Sequence, residues 1–164
     1  MDESVMKPAD LSQEDLAKFV VDMLYRTVFH HVQWFNEVEH QLGMQKAMKV
    51  LKVARENSYK IQMDRLSKVL GFEMKDGIPK ALLDKPKDEL LKLTGALAAN
   101  WLANDGVWFQ AVEFRDGMND AKRCNDSVWG QFSPIEAWSI KRFLNLPERP
   151  GLEGLKKALN FRIY

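Results

Sequence analysis

The chain has 164 residues, of which 46 % are hydrophobic and 29 % are charged, close to the average for globular domains. Lysine and arginine number 24 against 23 acidic residues, so the net charge is +1 and nucleic acid is an unfavoured partner. The single cysteine, Cys124, excludes a disulfide framework and a zinc site built on several thiolates. The composition therefore predicts one ordered domain over residues 1–164 and excludes a fibre or a disordered tail.

The sequence also bears on the compartment. The first ten residues include three acidic side chains and lack an apolar run of signal-peptide length. Nowhere do apolar residues continue without interruption for the ~18 positions that a membrane span requires. We therefore expect a cytoplasmic protein that has no membrane partner.

The first half of the chain carries two helical patterns. Ser12 with Asp15 three residues later resembles a capping box, and apolar residues then recur at steps of three and four as far as Gly43. Glycine is a common helix stop because it tolerates a left-handed backbone. A second pattern predicts a helix over residues 45–70, which no proline interrupts.

Residues 73–85 are predicted to be a linker, because glycine, proline and charges of both signs are mixed there with few apolar residues. One short turn of helix over 78–83 fits inside this linker. A third helix is predicted from Pro86, whose fixed φ suits the first helical position, to just before Gly117.

The segment Ser133-Pro134-Ile135-Glu136 has the residues of a helix start, with a serine N-cap, a proline at the first position and a glutamate at the third. We therefore expect one helix to end before Ser133 and another to run from Pro134 to about Leu144. A short final helix is predicted over 151–161. Sustained alternation of apolar and polar residues is absent from the sequence, so no strand is predicted.

The two halves of the sequence repeat each other at an offset of 74 residues. This shift superimposes Trp34-Phe35 on Trp108-Phe109 without a gap. Seven of the 14 positions from 34 to 47 are then identical, where average composition gives about one. The other identical pairs are Val38 with Val112, Glu39 with Glu113, Gly43 with Gly117, Met44 with Met118 and Ala47 with Ala121. The pattern indicates an internal duplication.

Duplication predicts an all-α fold of two tandem helical hairpins, with repeat 1 at about 11–72 and repeat 2 at about 86–146. A single hairpin cannot cover its own apolar face. We therefore expect the two hairpins to pack as a four-helix-like bundle with approximate twofold symmetry. The second repeat should carry the bulkier packing, because it contains four of the five tryptophans.

Four segments of the second half are distinctive: Asn-Trp-Leu-Ala-Asn-Asp-Gly at 100–106, Trp-Phe-x-x-Val-Glu at 108–113, Trp-Gly-Gln-Phe-Ser-Pro-Ile-Glu-Ala at 129–137 and Leu-Lys-Lys-Ala-Leu-Asn-Phe-Arg at 155–162. They resemble an uncharacterised family of prokaryotic helical proteins. The resemblance covers 86–164 well and 11–72 only through the repeat. It implies a cytosolic helical fold and no established reaction. That family often continues into a cysteine-bearing domain similar to that of small-ring amide hydrolases. The chain ends at Tyr164 without it, so we expect chemistry seated there to be absent.

Polar side chains interrupt the apolar face of the first helix in each repeat. His31 lies on the apolar line of its helix, and Asp105 occupies the matching position in repeat 2. Asn104 matches His30, which we expect to point outward. Burying an unpaired polar group costs a few kcal/mol. Three interpretations stay open: a structural pair between His31 and Asp105, a pocket for a ligand or metal, and placement at the surface.

Glu39 and Glu113 repeat the same acid in both halves, which favours a structural task such as accepting N–H groups at a neighbouring helix start. A catalytic pair of carboxylates is the alternative, because acids in unlike environments divide the roles of acid and base. Glu136 is explained by its capping position. Cys124 has no histidine at helical spacing and is interpreted as a small buried hydrophobe.

Glu37-x-x-His40 places a carboxylate and an imidazole one turn apart, as in the helix pairs of di-iron bundles. The matching residues of repeat 2 are Ala111 and Phe114, so the second half of a dinuclear site is missing. A solvated helix surface is therefore the preferred interpretation, and no cofactor is predicted. A metal ion bound by Glu37 and His40 is the alternative.

These features favour a cytoplasmic, non-enzymatic binding or interaction module that self-associates, for example as a homodimer, or takes a protein partner. The alternative is an enzyme that acts on a small molecule or through a metal, with hydrolase-like chemistry or carboxylate and histidine ligands. Its polar pocket would lie at the interface of the repeats. The candidate residues of that pocket are His31, Asp105, Glu39, Glu113 and Asn104.

Overall fold

The computed structural model describes residues 7–163 and confirms the predicted all-α class. The chain forms two compact units, which divide between Leu66 and Ser67, about one turn before the end of a long helix. A single 3-10 turn, Pro8–Asp10, precedes the first helix. The elements that follow are α1 (Gln13–Leu42), α2 (Met44–Leu70), β1 (Met74–Lys75), β2 (Ile78–Pro79), α3 (Lys80–Leu83), α4 (Lys87–Asp116), α5 (Met118–Phe143) and α6 (Gly151–Leu159).

The first hairpin consists of α1 and α2, which a single glycine joins. Ser12 caps α1 as predicted, and its Oγ accepts a hydrogen bond from the Asp15 N–H at 3.1 Å. At the other end, Gly43 has φ +80° and ψ 158°, a conformation that is essentially restricted to glycine. Its N–H donates to the Glu39 carbonyl at 2.8 Å. The predicted helix stop at Gly43 is therefore confirmed.

The second hairpin, formed by α4 and α5, repeats this design. α4 begins and ends 74 residues after α1, so the offset found in the sequence is also the offset of the helix boundaries. Gly117 has φ +94° and donates its N–H to the Glu113 carbonyl at 2.9 Å. Just beyond the two glycines, Ala47 and Ala121 are each 1 % exposed. The tandem helix pairs are thus alike down to the backbone of their corners.

The prediction that a new helix starts at Pro134 is wrong, because α5 continues through this residue. A proline in a helix interior lacks the N–H and crowds the carbonyl four residues earlier, here that of Gly130. The matching residue of α2 is Lys60, and that helix also continues without a break. The repeat therefore indicated the continuity of α5 better than the local serine-proline signal did.

The linker 73–85 contains a minimal β-hairpin, so the prediction of no strand is also wrong. β1 and β2 pair antiparallel, with Met74 opposite Pro79 and Lys75 opposite Ile78. The turn between them is Asp76-Gly77, with φ +51° and +79°, and positive φ at both central residues is the mark of a type I′ hairpin turn. The short α3 that follows confirms the predicted turn of helix.

α6 confirms the predicted final helix and folds back on α5. Gly154, which is buried, packs against Pro150 so closely that a Cβ built on the glycine would lie 2.1 Å from the Pro150 Cβ. The Phe161 ring lies 5.9 Å from the Phe143 ring, centroid to centroid. The segment after α6 is therefore held against the end of α5.

Few side chains are buried in the described part of the chain. Its buried hydrophobic side chains are Ala47, Ala121 and Ile140, and two of these are alanines at the hairpin corners. Large apolar residues of every long helix are exposed instead. The described surface is therefore unusually apolar for a chain in isolation.

Candidate functional site

A cleft lies between the two helices of the first hairpin. Its volume is about 170 Å³. Its lining residues come from about two turns of α1 and about three turns of α2 near the Gly43 corner: His31, Trp34, Phe35, Val38, Ala47, Val50, Leu51, Ala54 and Ser58. His31 contributes to this mainly apolar lining, although it is exposed to solvent.

Asp105, the counterpart of His31, has a partner within its own hairpin. The Asn125 Nδ2 donates to the Asp105 Oδ1 at 3.4 Å, across α4 and α5. Both side chains are half-buried, whereas Asn104 is exposed. Asn125 stands where the first hairpin has Leu51, so the second hairpin has a polar pair at the place where the first has an open apolar wall. His31 and Asp105 belong to different units, and the pairing of the two stays a prediction.

Aromatic side chains fill the second hairpin one turn further from its corner. The Trp101 ring lies 5.2 Å from that of Trp129 and 5.5 Å from that of Phe132, in edge-to-face and tilted arrangements. The Arg162 guanidinium lies over the Trp129 ring, 5.8 Å from its centroid. The matching residues of the first hairpin are Thr27, Arg55 and Ser58. This aromatic cluster gives repeat 2 the bulkier packing that its tryptophan content predicted.

Glu136 is not a capping residue, and this interpretation is wrong because its helix does not begin there. Its carboxylate accepts hydrogen bonds from Arg162 Nε at 3.2 Å and from the Ile163 N–H at 2.9 Å. The side chain is only 10 % exposed. Glu136 therefore ties the segment after α6 to α5. The local sequence gave no sign of this role, because both donors lie more than 25 residues away.

A groove of about 830 Å³ opens beside this tie in the second unit. It lies among α4, α5 and the C-terminal segment, and its wall includes Leu91, Leu97, Ile135 and Ile140. Among the described residues of its lining, Glu136 and Arg162 are the ionised groups, and they face each other as an ion pair. The groove is thus mainly apolar, with its charges already compensated.

The repeated acids Glu39 and Glu113 are half-buried at the corners of the two hairpins. Their backbone carbonyls, and not their carboxylates, meet the neighbouring backbone, accepting the N–H groups of Gly43 and Gly117. Within residues 7–163 neither carboxylate accepts a hydrogen bond. The repetition of the two acids is therefore not explained by a bond to the next helix start.

The Glu37 and His40 side chains are exposed on α1. The Gln41 Nε2 donates to the Glu37 Oε1 at 2.8 Å, one turn along the same helix. In the part of the chain that the structure describes, no three histidine, cysteine, aspartate or glutamate side chains come together in a way that could hold a metal ion. The structure gives His40 and Glu37 no further metal ligand among these residues.

Cys124 is exposed, so its interpretation as a buried hydrophobe is wrong. Its counterpart in the first hairpin, Val50, is itself 45 % exposed on the rim of the cleft. The repeat position is therefore an open one in both hairpins, which the apolar character of valine concealed.

The fold and these sites define a class of protein, that of tandem helical hairpins joined at glycine corners. The chain belongs to the family described as "Family of unknown function (DUF6125)", which matches it twice, over residues 8–85 and 83–164. The first repeat is thus matched as directly as the second. No curated protein and no solved structure gives a significant match to the chain. Among the described residues, no helix combines the length and apolar character needed to cross a membrane.

Proposed function

We propose that the chain is a non-catalytic interaction module of the cytoplasm that binds a second copy of itself through α1. The observation that carries this proposal is a row of large side chains along α1, the outer stripe, formed by Val21, Tyr25, Val28 and Val32. They are 66 %, 64 %, 65 % and 46 % exposed. None of them is among the residues that line the cleft of the first hairpin.

The spacing of the outer stripe suits the packing of one helix on another. Its members follow at steps of four, three and four, the alternation that keeps a seam facing a partner helix. Valine and tyrosine offer branched or flat apolar surface with few rotamers to immobilise. Charged side chains are absent from these four positions. The stripe is therefore better suited to a partner helix than to water.

The size of the outer stripe is sufficient for a stable pair. Leu24 and Phe29, both 51 % exposed, flank it on α1. Stripe and flanks together present roughly 600 Å² of side-chain surface per copy, so a symmetric pair would bury on the order of 1,200 Å². That area is the lower limit for a standard specific interface. A twofold pair of identical stripes is the simplest arrangement that covers both.

The stripe is a property of the first repeat alone. At the matching positions α4 has Gly95, Ala99, Leu102 and Gly106. Three of these are too small to contribute much apolar area. Leu102, the counterpart of Val28, is 59 % exposed and provides a matched control for substitutions in the stripe.

The test is the mass in solution of the full chain and of two variants, measured by light scattering over about 1–100 µM. We expect a dimer for the chain itself and a monomer for Val28→Asp. An aspartate in the stripe would bury an unpaired carboxylate and raise the dissociation constant about a hundredfold or more. Leu102→Asp should remain dimeric, and circular dichroism should show equal helix content in all three. A monomeric parent chain, or equal loss in both variants, contradicts the proposal.

The alternative is an enzyme or metal protein whose pocket includes His31, which lines the cleft of the first hairpin. Among the described residues that line it, the polar groups are those of His31 and Ser58 and the indole N–H of Trp34, and none is a carboxylate. Metal analysis of the purified chain and of His31→Ala separates this alternative from the first. Stoichiometric metal that is lost in His31→Ala would favour the alternative. Absence of metal from both samples is the result expected for a non-catalytic module.

A further inference from the structure

We infer that the cleft of the first hairpin binds a small molecule made of one aromatic ring that carries one hydrogen-bonding group. The cleft measures about 170 Å³. An engineered cavity of about 150 Å³ in another protein is large enough to hold benzene. The site is independent of self-association, because its lining shares no residue with the outer stripe.

The walls of the cleft favour a flat apolar body. Trp34 and Phe35 line it from α1, and Val50 and Leu51 line it from α2. Indole and phenyl rings prefer edge-to-face or offset contact with another ring, with additional stabilisation of about 0.5–1.5 kcal/mol over area alone. Alanines at 47 and 54 leave the room between the two walls. A single ring therefore matches both the volume and the apolar lining of the cleft.

The polar atoms of the cleft are few, and this limits the charge of the ligand. Within the described part of the chain, no aspartate, glutamate, lysine or arginine belongs to its lining. The His31 imidazole and the Ser58 hydroxyl each offer hydrogen-bonding atoms. A neutral hydroxyl or amide on the ring could bond to either without leaving a buried charge unpaired. Phenol is the simplest molecule of this kind and serves as the probe.

The second hairpin carries a phenyl ring at one position that corresponds to the lining of the cleft. Phe132 stands where the first hairpin has Ser58, and its ring packs on Trp101 with centroids 5.5 Å apart. The hydrogen bond of this region is internal too, from Asn125 to Asp105. In the first hairpin the phenyl ring is replaced by a serine and the polar pair is broken. The proposed ligand would give the first hairpin a ring and a hydrogen-bonding group, both of which the second hairpin has in its own sequence.

The experiment is a titration of the full, isotopically labelled chain with phenol, followed through the indole N–H signals in NMR spectra. Trp34 lines the cleft, and its counterpart Trp108 is exposed to the same extent, 61 %, outside it. We expect a saturable shift of the Trp34 signal with a dissociation constant on the order of 1 mM. The Trp108 signal should move little and without saturation.

Three variants give the titration its controls. Ser58→Phe copies the second hairpin and should abolish the Trp34 shift by filling the cleft. Ser127→Phe introduces the same ring at an exposed position of α5 and should leave binding unchanged. His31→Ala should weaken the binding of phenol about three- to tenfold because a hydrogen bond is lost, while the affinity for benzene stays the same.

Several results would overturn the site. These are shifts of equal size at Trp34 and Trp108, a Trp34 shift that never saturates, or full binding by Ser58→Phe. The mass in solution is measured on the same samples. A monomeric chain that still binds phenol refutes the dimer and leaves the site standing, whereas a dimer that ignores phenol refutes the site alone.

Discussion

Gly43 and Gly117 show how a single residue determines the geometry of a hairpin. Each combines positive φ with ψ near 160°, where a Cβ is strongly disfavoured. A helix ends at each glycine and the next one begins at the following residue, so no other residue can share the change of direction. The backbone N–H of each glycine still finds a carbonyl one turn back. The corner therefore reverses the chain without leaving that donor unpaired.

Replacing Gly43 or Gly117 with alanine is expected to lower the free energy of unfolding by about 1–3 kcal/mol. An added Cβ meets no atom within 4 Å at either position, so the loss comes from backbone strain and not from collision. Urea unfolding followed by circular dichroism measures it. Gly106→Ala, inside α4 with equally open space, is the matched control and should gain about 0.5–1 kcal/mol. Unchanged stability in Gly43→Ala would refute the strain argument.

At the scale of elements, α5 is fixed from both sides. Its middle packs through Trp129 and Phe132 on Trp101 of α4, and its Glu136 holds the segment after α6. These contacts lie on both sides of Pro134 in sequence. They stabilise a continuous helix, although Pro134 removes one backbone hydrogen bond and its loss favours a break.

Removing the Glu136 carboxylate is expected to release the C-terminal segment without unfolding α5. Hydrogen bonds to a charged group contribute about 1.5–3 kcal/mol, so amide exchange at Ile163 should accelerate about ten- to hundredfold in Glu136→Ala. Glu136→Gln keeps an acceptor oxygen and should give an intermediate rate. Hydrogen exchange measured by NMR reports all three proteins. Glu153→Ala, which removes an ion pair whose carboxylate is 79 % exposed, should leave Ile163 unchanged. Full protection of Ile163 in Glu136→Ala would show that other contacts hold the segment.

The sequence predicted the features that depend on neighbours along the chain. Helix spacing, the Ser12 cap and the Gly43 stop are local, and all three are present. The start at Pro134 failed because a local capping signal was outweighed by packing across the hairpin. The type I′ turn at Asp76-Gly77 was missed, although Asp-Gly is its usual sequence, because the strands are only two residues long.

The candidate site was predicted less completely than the fold. His31 lines the cleft but is itself exposed, and its role stays a prediction. The cleft beside it could not be foreseen, because a cleft reflects side chains that are small or absent. The replacement of Phe132 by Ser58 in the first hairpin is one such difference, and its meaning is clear only once the structure shows that Ser58 lines the cleft. Glu136 escaped for a different reason, as its partners are distant in sequence.

At the scale of the whole molecule, the large share of hydrophobic residues contrasts with the small number of buried hydrophobic side chains. Hydrophobic residues make up 46 % of the chain, yet in the described part only Ala47, Ala121 and Ile140 are buried hydrophobic side chains. Burial of apolar surface is the main force that offsets the conformational entropy of folding. In the proposed dimer, covering the outer stripe would add to the little apolar surface that the chain buries on its own. Stability and association should then be coupled.

We therefore expect the melting temperature of the chain to rise with its concentration. For a folded dimer that dissociates on unfolding, each tenfold increase in concentration adds about 1.4 kcal/mol, or about 3–5 °C for a chain of this length. Thermal unfolding at about 1, 10 and 100 µM, followed by circular dichroism, would measure how the melting temperature depends on concentration. Val28→Asp should melt at a lower temperature that does not depend on concentration, and Leu102→Asp should follow the parent chain. If the melting temperature of the parent chain did not change with concentration, the apolar faces, including the outer stripe, would not be covered by a second copy.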